Sequence, residues 1–150
     1  MLWQRVEVMP YLYYSPLYSD GISPEARFPR LRYRLTYEEL IRRGAIGDQS
    51  LPTPDSVNVD DLLLVHDEGY VRRFLAGGLS EQEVRRIGLR PWTDAIVART
   101  CVLTGAAVLA VHDVCSGRAA YAGNLAGGTH HAHHDFGSGY CVFNDIAVAA

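Results

Sequence analysis

Cysteine is scarce in this chain. Cys101, Cys115 and Cys141 are the whole set, odd in number and without a Cys-x-x-Cys spacing. That excludes a disulfide scaffold and points to a reducing compartment. A basic patch is also missing: the formal net charge is −3, and the densest arginine run, Arg27 to Arg43, carries Glu38 and Glu39 as well. That run reads as a solvated helix face, so nucleic acid is not an expected partner. No apolar run approaches transmembrane length, and Met1 to Val8 mixes Arg5 and Glu7 into what would otherwise resemble a leader. Repeats, low-complexity tracts and linkers are absent too. The expectation is a soluble cytoplasmic protein, one domain, with no membrane partner and an open oligomeric state.

What is present alternates strand and helix signals. Val8 to Tyr14 is aromatic and apolar and ends at Ser15-Pro16, which suits a first strand. Tyr18 to Pro29 reads as a loop broken by Gly21, Pro24 and Pro29. Arg30 to Arg43 is helical, with Tyr33, Tyr37, Leu40 and Ile41 on one face and Gly44 to end it. Gly47 to Asn58 is a second loop, and Asp60 to Val65 a short apolar run. Asp67 is placed to cap a helix through Leu75 that stops at Gly77-Gly78. Ser80 and Glu83 form a capping box for a helix ending near Gly88. Thr93 or Asp94 opens a long helix to about Cys115. Ala119 to Ala122 is a buried-strand candidate, and Asn144 or Asp145 caps a last helix. This ordering is α/β, with a parallel sheet flanked by helices. Ile146 to Ala150 is apolar and helix-like, yet no Gly, Asn or Pro stops it. The expectation is that residues 1–150 are the N-terminal part of one domain, starting at Met1 or Met9.

The segment between the last strand and the last helix carries the chemistry. Gly127-Gly128-Thr129-His130-His131-Ala132 is followed by Gly139-Tyr140-Cys141-Val142-Phe143-Asn144-Asp145, with His133 and His134 between. Glycine lets backbone approach a ligand, and imidazole exchanges protons near neutral pH. Three readings are open: exposed polar histidines, a direct metal cluster, or a proton-transfer pair beside a metal whose ligands lie elsewhere. The cluster reading draws on a partial match of His131 to Asp135 to the His-x-His-x-Asp-His string of metallo-β-lactamase-type hydrolases, in which Phe136 stands where the last histidine is required.

The two loop motifs together resemble the catalytic loop of zinc-dependent histone deacetylases, within the arginase/deacetylase superfamily. Upstream segments agree in order. Tyr14-Ser15-Pro16-x-Tyr18 is similar to the family's first strand and loop. Phe28-Pro29-Arg30-Leu31-Arg32-Tyr33 is similar to a segment of the class IV-like bacterial branch. Leu64-Val65-His66-Asp67-x-x-Tyr70 is similar to a family helix start. The resemblance covers about Met9 to Ala150.

It implies removal of an acetyl group from N-acetyl-lysine, or from a small acetylated polyamine, by a metal-activated water. His131 would be the general base and then the acid for the leaving amine, with His130 supporting it. Two adjacent imidazoles cannot both be protonated cheaply, so their titrations would be coupled. Gly139 would offer its carbonyl to the substrate amide, Tyr140 would wall the acyl-lysine tunnel, and Cys141 would line the pocket behind the metal. Gly128 would permit the turn beside the substrate. Arg32, or Arg30 if the alignment slides, could match a basic residue behind the site. His66 and Tyr70 are read as structural, Asn144 and Asp145 as helix caps. The family's acidic rim residue has no convincing counterpart, with Asp94 no more than a candidate. The family's zinc ligands, its transition-state tyrosine and the carboxylates that orient the histidines match nothing in the chain. The expectation is that Zn2+ belongs to the complete protein, with ligands after Ala150, and that these 150 residues alone are inactive. Rival readings are ureohydrolase chemistry, which would want Gly-Gly-Asp-His where the chain has Gly-Gly-Thr-His, and a non-catalytic module that binds an acyl-lysine or metabolite.

Overall fold

A computed structural model describes residues 11–46 and 51–150. Strand β1 (Tyr11–Tyr13) pairs in parallel with β2 (Ala122–Asn124), in the register Tyr11↔Ala122, Leu12↔Gly123, Tyr13↔Asn124. Parallel neighbours need a long crossover. Here it comprises α1 (Arg32–Arg42), α2 (Val59–Leu63), α3 (Glu68–Leu75), α4 (Glu81–Ile87) and α5 (Asp94–Cys115). A final helix, α6 (Asp145–Ala149), follows the loop that leaves β2. The α/β class with a parallel sheet is the one expected.

Helix α5 is the axis of the fold. It packs against β1, β2 and α6, and buries Ile96, Leu103 and Ala106 completely or nearly so. By length and composition it is apolar enough to cross a membrane, which corrects the expectation that no run approaches that length. Its polar groups show how it serves as a core helix instead. Thr100 and Thr104 return their hydroxyls to Ile96 O (2.8 Å) and Thr100 O (3.0 Å) within the helix. Buried Arg99 donates from Nε to Tyr18 O at 2.7 Å. Asp113 accepts the Tyr13 hydroxyl at 2.6 Å and lies 3.1 Å from Arg118, which ties β1 to the end of the helix. Burial, helped by Asp113, holds the Tyr13 proton well above the ordinary phenol range.

Local caps fall where the side chains dictate. Asp67 accepts from Tyr70 N at 2.8 Å, Ser80 and Glu83 form the reciprocal box, and Asn144 accepts from Ala147 N at 3.1 Å. Thr93 precedes α5 but makes no side-chain cap bond. Helix α1 is shorter than expected, because Phe28 to Leu31 turn on themselves (Arg30 N to Phe28 O, 2.8 Å; Arg32 N to Pro29 O, 3.0 Å). Two short helical pieces stand where a loop and an unassigned apolar run were read. One is a 3-10 turn, Pro16–Ser19, opened by Ser15; the other is α2, capped by Asn58. Strand β2 begins where the expected Ala119 to Ala122 strand was to end. Ala119 N is spent on Asp113 O (3.0 Å) in closing the turn after α5, so pairing starts only at Ala122. For the first strand, Val8 to Pro10 lie outside the described residues, as do 47–50 of the second loop.

Candidate active site

The histidine loop leaves β2 and is fastened to five elements, β1, α3, α4, α5 and α6. At its start, Leu125 N donates to Tyr13 O on β1 (3.1 Å). Asn124 reaches across to Leu103 O on α5 (2.9 Å) and accepts from Ala126 N (3.1 Å). The turn itself is held by Asp145 of α6, whose carboxylate accepts Gly128 N (2.9 Å) and Thr129 N (2.7 Å). The Thr129 hydroxyl accepts Asp145 N in return at 3.2 Å. Gly128 has φ +93°, a conformation that favours glycine.

Beyond the turn, His130 and His131 are exposed, with ring centroids 4.2 Å apart and planes tilted by 43°. Gly139 lies flat beneath one ring: a Cβ there would be 3.4 Å from His131 Cβ and Cγ. Ser138 Oγ donates to His131 O at 2.6 Å, so the backbone on either side of the pair is fixed.

His133 and His134 turn away from this pair. His133 stacks on Phe136 with centroids 4.3 Å apart, and His134 sets Nδ1 against Val65 O at 2.7 Å. Among the described residues no three His, Cys, Asp or Glu side chains gather where a metal ion could sit. The string from His131 to Asp135 therefore does not assemble as a direct metal cluster.

His66 and Tyr70, read as structural, brace the far side of the loop. His66 is 2% exposed; its Nδ1 faces His134 O (3.2 Å) and its Nε2 accepts Asn144 N (3.0 Å). That arrangement requires the neutral ring with its proton on Nδ1. Burial lowers its pKa from the ordinary value, against the opposing pull of the His134 carbonyl. Tyr70 donates its hydroxyl to Val142 O at 2.9 Å. Asn144 caps α6 as expected, whereas Asp145 does more, since its carboxylate serves the turn.

Tyr140 is the one described non-glycine residue with positive φ, +68°. Such a conformation costs of order 1–3 kcal/mol and persists only where neighbours impose it. The C-terminal carbonyls of α4 do so: Ile87 O accepts Tyr140 N (2.7 Å) and Arg86 O accepts Gly139 N (3.3 Å). The ring meets Phe28 edge-on at 5.2 Å, and a Cβ on Gly88 would stand 3.2 Å from Tyr140 Cε1. Gly88 thus ends α4 and makes room for the Tyr140 ring, a second duty that sequence reading missed. Cys141 is buried, and burial raises its thiol above the usual value; its Sγ lies 3.5 Å from the Gly139 carbonyl.

Arg32 lies over Phe28 (5.2 Å) and Tyr33 (4.9 Å) at the surface. The basic group that sequence reading overlooked is Arg99, 3% exposed, set 5.4 Å over the same Phe28 ring. With Thr104, Thr129 and Tyr140 it lines a cavity of about 10 Å³ between α5 and the loop, room for a single water. An arginine inside the apolar run of α5 was the available signal. Arg30 gives its carbonyl to the Ser19 hydroxyl at 2.6 Å, and Asp94 stands exposed at the first turn of α5.

Comparisons with known proteins agree with this geometry. The histone deacetylase domain family matches residues 26–150. An uncharacterized protein of Picosynechococcus is 38% identical over 136 residues, covering 91% of this chain and 44% of that protein. The acetoin utilization protein AcuC of Bacillus subtilis is 34% identical over 144 residues, covering 91% and 37% respectively. The crystal structure of the HDA15 HD domain superposes with a TM-score of 0.76 at 17% identity, over 93% of this chain and 41% of that one, a likeness of fold. The chain spans less than half the length of these relatives. By domain match, fold and the shared extent of sequence, it belongs to the histone deacetylase family.

Proposed function

We propose that the loop from Gly127 to Asp145 is the proton-transfer part of an amide hydrolase that removes acetyl groups from N-acetyl-lysine, acting within a longer, zinc-dependent protein. The observation that carries this is the exposed His130–His131 pair at 4.2 Å, on a loop tied to β1, α3, α4, α5 and α6.

The chain's own side chains divide the remaining work. His131 takes a proton from the attacking water as its oxygen adds to the acyl carbon. When the C–N bond breaks, the same imidazole returns that proton to the amine nitrogen, leaving acetate and a free lysine. His130 supports the charge on its neighbour, and one shared proton suits both states of the cycle. The Gly139 carbonyl accepts the substrate amide N–H; among the described residues its partner is the weak Cys141 thiol at 3.5 Å. The face of Tyr140 offers apolar surface to the lysine methylenes.

The test is acetate release by the full-length protein from an acetyl-lysine peptide and from an N-acetylated diamine. Turnover of the peptide with the higher kcat/KM supports the reading. Preference for the diamine moves the substrate to small acetylated polyamines. Tight binding of either without turnover makes the protein a binding module.

A further inference from the structure

Asp145 was expected to start a helix, but that duty falls to its neighbour. Asn144 already caps α6 through Ala147 N. The Asp145 side chain points elsewhere and is 1% exposed. No arginine lies within ion-pair distance of it among the described residues. A buried carboxylate is costly unless donors replace its water. Here the donors are two consecutive backbone N–H groups, of Gly128 and Thr129, and the bond from Asp145 N to the Thr129 hydroxyl closes a ring. The fit is close, since a Cβ on Gly127 would lie 3.3 Å from Asp145 Oδ2.

We propose that Asp145 is a positioning residue for His130 and His131: its carboxylate fixes the Gly127-Gly128 peptide and, one step nearer the pair, the Gly128-Thr129 peptide. Two donors on one carboxylate define an orientation that a single bond leaves free to swing. Thr129 precedes His130 directly, so a rotation of that peptide carries the ring with it. The 4.2 Å approach of the two rings and the placement of His131 against Gly139 both depend on it. Asp145 touches neither substrate nor proton, and its effect passes through the backbone. This inference rests on the deacetylase reading.

Asp145→Asn keeps the shape but turns one oxygen into a donor, so one of the two amides loses its partner. In the full-length protein, kcat on an acetyl-lysine peptide should fall about 10- to 100-fold while KM changes less than about 3-fold, the signature of misplaced groups rather than lost binding. Hydrogen exchange at Gly128 and Thr129 should quicken about 10-fold while α5 stays protected. Asn144→Ala, which removes the α6 cap and leaves the turn alone, should speed exchange in α6 and keep kcat. Should Asp145→Asn fail to fold, Thr129→Val removes the reciprocal bond and should lower kcat in the same direction. The proposal is overturned by an Asp145→Asn protein with kcat within 2-fold of wild type, by unchanged exchange at the turn, or by an equal loss in Asn144→Ala. A wild-type protein without turnover overturns the deacetylase reading and this inference together, whereas an active wild type with an equally active variant overturns this inference alone.

Discussion

His66 holds the loop only while it is neutral. Its Nε2 accepts the Asn144 N–H, and a proton on that nitrogen would set two donors face to face. Burial lowers the folded-state pKa below the ordinary value of 6.5, so the unfolded chain binds the proton more readily. Stability from this group is full above about pH 6.5 and declines as the pH falls from there toward the lowered folded value. Urea midpoints at pH 7.5 and 5.5 should therefore show a drop that His66→Gln reduces, since the amide does not titrate. An equal drop in both proteins would remove His66 from the account. At this scale much of the site was legible: the histidine pair, Gly139 and Tyr140 are written as a contiguous motif. Arg99 and Gly88 were not, because their work depends on Phe28 and Tyr140, residues far away in sequence that only folding brings near.

Elements that owe their bounds to a neighbouring side chain could be read from the sequence, and those that owe them to distant partners could not. The caps at Asp67, Ser80 and Asn144 act over two or three residues, so α3, α4 and α6 begin where expected. Strand β2 is three residues long and contains Gly123 and Asn124, poor strand formers by themselves; pairing with β1 defines it. Helix α5 shows tertiary contact overriding local preference. Gly105 sits mid-helix, where alanine would be favoured by about 1 kcal/mol. Yet a Cβ there would strike the Asp55 carbonyl and come within 2.7 Å of Val57 N, the group that bonds Cys101 O at 2.9 Å. Gly105→Ala should therefore destabilise the protein by about 1–3 kcal/mol in urea unfolding, as overpacking does, with helix content unchanged by circular dichroism. A gain in stability would show that the 55–57 segment yields freely.

For the whole molecule, the sheet places the loop and the loop places the histidines. The site follows the carboxyl end of β2, as in other α/β folds, and α4, α5 and α6 fasten it from different directions. Motif order across the chain makes the family legible in the sequence alone, while the bracing of the loop needs all of those helices in place. The central claim is that His131 moves the proton in amide hydrolysis. The most direct measurement is kcat for acetate release from an acetyl-lysine peptide by the full-length protein and its His131→Ala variant. A general acid–base role predicts a loss of about 10²–10⁴-fold with the fold intact by circular dichroism. A variant that retains kcat within a few fold would contradict the claim and return the pair to the status of exposed surface histidines.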